Sequence, residues 1–151
     1  MTKDELVSLA KATAIAYLLD PAIVCGVVER ESQWDEDVKP RFEPAFKEKY
    51  IDKMELPEPE ATGRATSWGL MQLMGECARE SGFAGSFTNL QVPVIGLSQG
   101  CKWLKKKLEE AGGFTERGLL YYNGGGNPRY GMEVMSLAEK YGEGLYKGET
   151  T

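Results

Sequence analysis

Apolar side chains recur at three- and four-residue intervals through most of this chain, and that period, rather than strict alternation, commits it to helices. The clearest stripe runs from position 93 to about 111: Val94, Leu97, Cys101, Leu104 and Leu108 align, lysines and glutamates lie opposite, and Gly112-Gly113 ends the pattern. A first amphipathic helix is read from Leu6, Leu9, Ala10, Thr13, Ala16 and Leu18. The second opens at Asp20-Pro21, with Asp20 as N-cap and Pro21 at the first helical position, and reaches Ser32. Residues 35–64 carry Pro40, Pro44, Pro57 and Pro59 and read as a long loop, with one short helical candidate at 46–54 and room for a short β-ribbon. Helical spacing resumes after Gly69 with Leu70, Leu73, Met74, Cys77 and Ala78, and Gly82 is the expected C-cap. Thr115 is the expected cap of a shorter helix with Leu119, Leu120 and Tyr122; a glycine turn at 124–128 follows, then a last helix from about 129 to 141. The fold class is mainly α, and a length of 151 residues at 42% hydrophobic content fits one domain over 1–151.

Composition removes several kinds of chemistry. The chain has no histidine, and Cys25, Cys77 and Cys101 follow no CxxC spacing, so a zinc site or a histidine-based triad is not expected and no cofactor is called for. A net charge of -5 argues against a nucleic-acid partner, which needs a basic face. The dense basic stretch Lys102, Lys105, Lys106 and Lys107 reads as the solvated face of a helix. No segment has the length of a membrane span or the pattern of a signal peptide. Synthesis in the cytoplasm, no stable membrane insertion and a monomer are the expectations, and the work must fall to carboxylates, hydroxyls and amides.

Glu31 is the acid that stands out. At about 100° per residue, Ile23, Val27, Glu31, Val24 and Val28 project at roughly 0, 40, 80, 100 and 140°, so Glu31 lies within an apolar arc. Glu29 and Arg30 fall outside it and are expected to stay wet. A desolvated carboxyl holds its proton to higher pH, as a general acid must.

Four local patterns follow in order: Glu31-Ser32-Gln33-Trp34; Ser67-Trp68-Gly69-Leu70-Met71-Gln72-Leu73-Met74; Tyr122-Asn123-Gly124-Gly125; and Arg129-Tyr130 leading to Val134. On these motifs, over roughly residues 23–141, the chain resembles the catalytic domain of the soluble lytic transglycosylases, which share the fold of goose-type lysozyme. The resemblance implies that Glu31 is the acid/base residue, followed by Ser32, and that Gln72 and Met74 line a sugar groove from a helix. It also brings Ser67, Gly69, Tyr122, Asn123 and Tyr130 to the substrate site, with a tyrosine hydroxyl such as that of Tyr122 near the acid. Gly69 is expected to permit close approach of the Glu31 helix or the groove. Trp34 and Trp68 could stack on sugar rings, although Trp34 equally suits a wedge between loop and core.

Three departures from the family pattern stand out. The connection between Ser32 and Ser67 is longer than usual, and its Arg41-Phe42-Glu43-Pro44 segment resembles phage-encoded relatives. The family's serine nine residues before the glutamine falls at Gly63, leaving Thr62, Thr66 or Ser67 to replace it, and Gly126 stands where a glutamate is often found. The implied activity is a peptidoglycan lytic transglycosylase acting on glycan strands, cleaving the β-1,4 bond between N-acetylmuramic acid and N-acetylglucosamine to give 1,6-anhydro ends. Two alternatives stay open: an inverting muramidase, with Glu43 as candidate second carboxylate, and a non-catalytic wall-binding or virion structural module. As an endolysin-type enzyme it would reach the wall after holin-type release or as part of a virion.

Overall fold

Helix α1 (Lys3–Ala16) starts where Thr2 and Glu5 form a reciprocal capping box, and it buries Leu6, Ala10 and Ala14. This is a computed structural model, and it describes residues 1–142. The expected continuation of the first stripe to Leu18 does not form. Leu18 takes a left-handed φ of 59° and is 84% exposed, while the Leu19 N–H returns to the Ala14 carbonyl and the Leu19 side chain packs on the core instead. Helix α2 (Pro21–Ser32) begins as expected, with the Asp20 carboxylate accepting from the Ala22 N–H, and buries Val24, Val27 and Val28 completely. Each such side chain contributes about 1.5–3 kcal/mol of transfer free energy.

The proline-rich segment is more ordered than a loop. It holds strand β1 (Arg41–Phe42), then helix α3 (Pro44–Phe46), which continues as a wide π turn and a 3-10 turn to Met54. Ile51 from this stretch packs with Ala61 and Ala65, the latter two around helix α4 (Glu60–Arg64), an element the prolines at 57 and 59 conceal in the sequence. Strands β2 (Thr66–Trp68) and β3 (Leu73–Met74) complete an antiparallel sheet in the order β1-β2-β3, with Arg41 opposite Ser67 and Ser67 opposite Met74. Only β1 belongs to the ribbon expected within the proline-rich segment.

The helix expected from Gly69 onward is therefore a hairpin. Residues 69–72 connect β2 to β3, Gly69 has φ 74° and Gln72 has φ 47°, and two left-handed residues cannot continue a helix. A Cβ on Gly69 would lie 2.2 Å from the Leu90 carbonyl oxygen, so the close approach is to the 3-10 turn Phe87–Gln91 rather than to α2. Helix α5 (Gly75–Glu80) is all that remains of the expected helix.

Helix α6 (Pro93–Glu110) follows its stripe, with Leu97, Cys101 and Leu104 fully buried, except that Val94 in the first turn lies beyond the core and is 54% exposed. Gly100 on the same face lets the hairpin loop in, since a Cβ there would meet the Met71 sulfur at 2.4 Å. Helix α7 (Thr115–Asn123) has Phe114 rather than Thr115 at its cap position, without a side-chain cap. Helix α8 (Tyr130–Ala138), followed by a 3-10 turn to Tyr141, packs along α2, as α1 does on another side. The mainly α class thus holds, and among the described residues no helix is long and apolar enough to cross a membrane.

Candidate active site

The last turn of α2 carries Glu31 to the edge of the helical core, where it meets the hairpin wall. Between them lies a cavity of about 380 Å³ lined by Glu31, Arg41, Glu43, Ser67, Gln72, Leu73, Met74, Cys77, Trp103, Tyr122, Asn123, Gly126 and Asn127. Seven of the residues expected at the site are in this lining: Glu31, Glu43, Ser67, Gln72, Met74, Tyr122 and Asn123. They come from α2, the segment around β1, both hairpin strands and their loop, and the end of α7.

Glu31 is half-buried, and the fully buried Tyr130 on α8 donates its hydroxyl to Glu31 Oε1 at 3.0 Å. Burial pushes the carboxyl's pKa above the usual range; the Tyr130 hydrogen bond and the charges of Arg30 and Arg41 oppose the shift without cancelling it. Arg30 is itself drawn outward by Glu133 at 2.9 Å. Glu29, expected in water, is half-buried instead, accepting from Lys140 at 2.6 Å and from the Tyr141 hydroxyl. Burial raises its pKa, but those donors outweigh burial and hold the carboxyl below the usual range.

Three expected site residues are not in the lining. Ser32 is buried and returns its hydroxyl to the Val28 carbonyl at 3.0 Å, Gly69 shapes the hairpin loop, and Tyr130 sits behind Glu31. The hydroxyl that touches the acid is thus that of Tyr130. Tyr122 donates to the Met71 carbonyl at 2.7 Å, which ties α7 to the hairpin loop. In that loop the Gln72 side chain donates to the Gly69 carbonyl at 2.9 Å, and the Asn123 side chain accepts the Asn127 N–H at 3.1 Å in the glycine turn. Of the hydroxyls that could replace the family serine, Ser67 alone lines the cavity; Thr66 is spent on the Thr62 carbonyl. Trp34 is a wedge, 6% exposed and donating to the Tyr141 hydroxyl, and Trp68 stacks on Phe87 at 5.9 Å outside this cavity.

Arg41, Leu73, Cys77, Trp103, Gly126 and Asn127 also line the cavity and were not singled out as site residues. Arg41 carried a signal, since on a strand it shares a face with Glu43 two residues on, and the two are paired at 2.9 Å. Trp103 offered little, being 5% exposed on the buried side of α6 with Lys107 over its ring at 4.3 Å. Among the described residues no group of three His, Cys, Asp or Glu side chains is placed to hold a metal ion. What the arrangement offers is one carboxyl with raised proton affinity, one ion pair, and amides and a thioether at the wall: proton donors and acceptors for hydroxyl and acetamido groups beside an adaptable apolar surface.

No curated protein and no solved structure matches the chain. The model of the transglycosylase SLT domain family matches residues 8–133, well over half the chain. The chain therefore belongs to the transglycosylase SLT domain family, and with that membership comes peptidoglycan-lytic activity.

Proposed function

We propose that this protein is a lytic transglycosylase that cleaves the β-1,4 bond between N-acetylmuramic acid and N-acetylglucosamine, with Glu31 acting first as acid and then as base. The observation that carries the reading is the half-buried Glu31 carboxyl, raised in pKa and held by Tyr130 at the floor of a polar cavity. The protonated carboxyl donates to the glycosidic oxygen as the C1–O bond breaks, and N-acetylglucosamine leaves with its O4 hydroxyl restored. The muramoyl C6 hydroxyl then bonds to C1 and gives its proton to the Glu31 carboxylate, which regenerates the acid and closes the 1,6-anhydro ring. Gln72, Asn123 and Ser67 offer hydrogen bonds to hydroxyl and acetamido groups, and Met74 an apolar surface to a sugar face. Ser32, Gly69 and Tyr130 support the site from behind.

The test is product mass. Purified sacculi digested by the wild type should yield muropeptides one water lighter than reducing ends, and Glu31→Gln should lose at least about a thousandfold in rate while melting as a folded protein. A Glu31→Gln variant that still clears sacculi would end this reading. One observation favours a second: Glu43 lines the same cavity, so an inverting muramidase would use it to activate water. Its pairing with Arg41 favours the one-carboxylate mechanism. Reducing ends from the wild type, abolished by Glu43→Gln, would establish the muramidase instead.

A further inference from the structure

We propose that Arg41 binds a carboxylate on the muramoyl part of the substrate, so that a free carboxyl, on the lactyl ether or on an attached peptide stem, is a specificity element of this cleft. The inference rests on the muramoyl-glycan reading of the cavity.

Arg41 stands opposite Ser67 in the β1–β2 pairing, and both line the cavity, as cross-strand partners sharing one sheet face should. Its position is set by backbone structure as well: the Glu43 N–H donates to the Ala65 carbonyl at 2.8 Å, just past the end of β1. Among the described residues Arg41 is the only cationic side chain in the cavity lining, and the other charged members are Glu31 and Glu43. Its ion pair with Glu43 runs through Nε at 2.9 Å, and the Arg41 side chain remains 75% exposed. One edge of the guanidinium is therefore engaged, while its terminal nitrogens keep the planar fork that takes a carboxylate bidentately. An ion pair this exposed contributes little to stability, so Glu43 orients Arg41 without saturating it.

A muramoyl unit differs from its N-acetylglucosamine neighbour by a lactyl ether. In stem-free glycan that ether ends in a free carboxylate; in stem-bearing glycan the carboxyl is an amide and the stem supplies carboxylates of its own. The Glu43 carboxylate, in a chain of net charge -5, would repel either anion unless a cation met it.

The experiment is a calorimetric titration of the Glu31→Gln protein, which binds without turnover, with muramoyl oligosaccharides of one length in three forms. One is stem-free with its lactyl carboxylates, one is stem-free with those carboxylates converted to methylamides, and one bears peptide stems. At least one carboxylate form should bind about tenfold more tightly than the methylamide. A tight stem-free form assigns the lactyl carboxylate, and tight binding confined to the stem-bearing form assigns the stem. Adding Arg41→Gln should shrink the gap to about twofold or less, and Arg41→Lys should keep part of it, because a point charge lacks the fork. Equal binding of all three forms, or a gap that survives Arg41→Gln, overturns the proposal. Anhydro products from the wild type test the catalytic reading separately: they would persist if Arg41 proved irrelevant, and the binding gap would still stand if they failed to appear.

Discussion

Glu29 and Glu31 lie two residues apart on α2 and are shifted in opposite directions, because one meets donors that outweigh its burial and the other does not. The shift at Glu31 has consequences for both stability and rate. Its native carboxyl keeps a proton above the ordinary value of 4.5, so the native state binds more protons than the unfolded chain in that window, and stability falls as pH rises through it. Glu31→Gln has no carboxyl to desolvate. It should melt higher than the wild type at pH 7, with an advantage that shrinks as the pH is lowered toward 4.5; thermal melts across that range check it, and a variant that melts lower at pH 7 contradicts the desolvation account. Tyr130 acts on the same balance, since its hydroxyl favours the ionised form of Glu31. Tyr130→Phe should raise the Glu31 pKa further and move the basic limb of the pH–activity profile to higher pH, at a stability cost of about 1 kcal/mol. An unmoved limb would mean that the hydroxyl does not act on the charged state.

Among the elements, the hairpin wall depends on a few backbone conformations and one ionic cluster. Gly69 combines φ 74° with contact against the Leu90 carbonyl, so Gly69→Ala should cost about 1–3 kcal/mol from backbone strain alone, with more from the clash, and should reduce activity by displacing Gln72 and Met74. Chemical denaturation and sacculus clearing read the two effects, and wild-type values in both would contradict the geometry. Glu60 joins α4 to α5 through Arg79 at 3.0 Å and also holds Arg64 at 2.6 Å; Arg79 first and Arg64 with it hold the carboxyl down to about 2, despite its partial burial. A depressed carboxyl stabilises the fold above its unfolded value, and that stability is lost as pH falls toward about 2. Glu60→Gln should therefore be less stable near neutrality and lose less stability between pH 4.5 and 2, as acid titrations followed by circular dichroism would record. This wall is also the part least legible in the sequence. The long helices announced themselves by caps and period, Asp20-Pro21 and the Leu97-Cys101-Leu104 stripe above all. Leu70, Leu73, Met74, Cys77 and Ala78 imitate a helical period because the hairpin loop, β3 and α5 each bury part of the set, and the left-handed φ values of Gly69 and Gln72 leave no mark on hydrophobic spacing. Glu31 was legible because periodicity locates a carboxyl within an apolar arc; Arg41 showed only its spacing to Glu43, because its place in the cavity depends on β1 pairing across an insertion with β2.

At the scale of the whole molecule, the cavity lies on a seam between two clusters of buried side chains. The larger joins α1, α2, α6 and α8, the smaller holds Leu73, Ala78, Phe87, Leu90 and Trp103, and Tyr122 packs against both while bonding the Met71 carbonyl. Glu31 is anchored to the first cluster through Tyr130, whereas Leu73 and Trp103, which line the cavity, stand with the second, so a substrate in the proposed site would lie across the junction of the two. The three free thiols report on that seam. Cys25 and Cys101 are fully buried in the larger cluster, Cys77 is half-buried at the cavity wall, and burial pushes all three pKa values up to about 12. None reacts readily as a native thiolate at pH 8, so labelling by a disulfide reagent measures opening rather than intrinsic reactivity. If the hairpin wall opens before the helical core, Cys77 should be modified first, with Cys25 and Cys101 following together at the rate of global unfolding. A bound muramoyl oligosaccharide, by bridging the seam, should slow Cys77 more than the other two. Labelling resolved by peptide mass spectrometry distinguishes the cases, and equal rates at all three positions would mean that wall and core open as one cooperative unit.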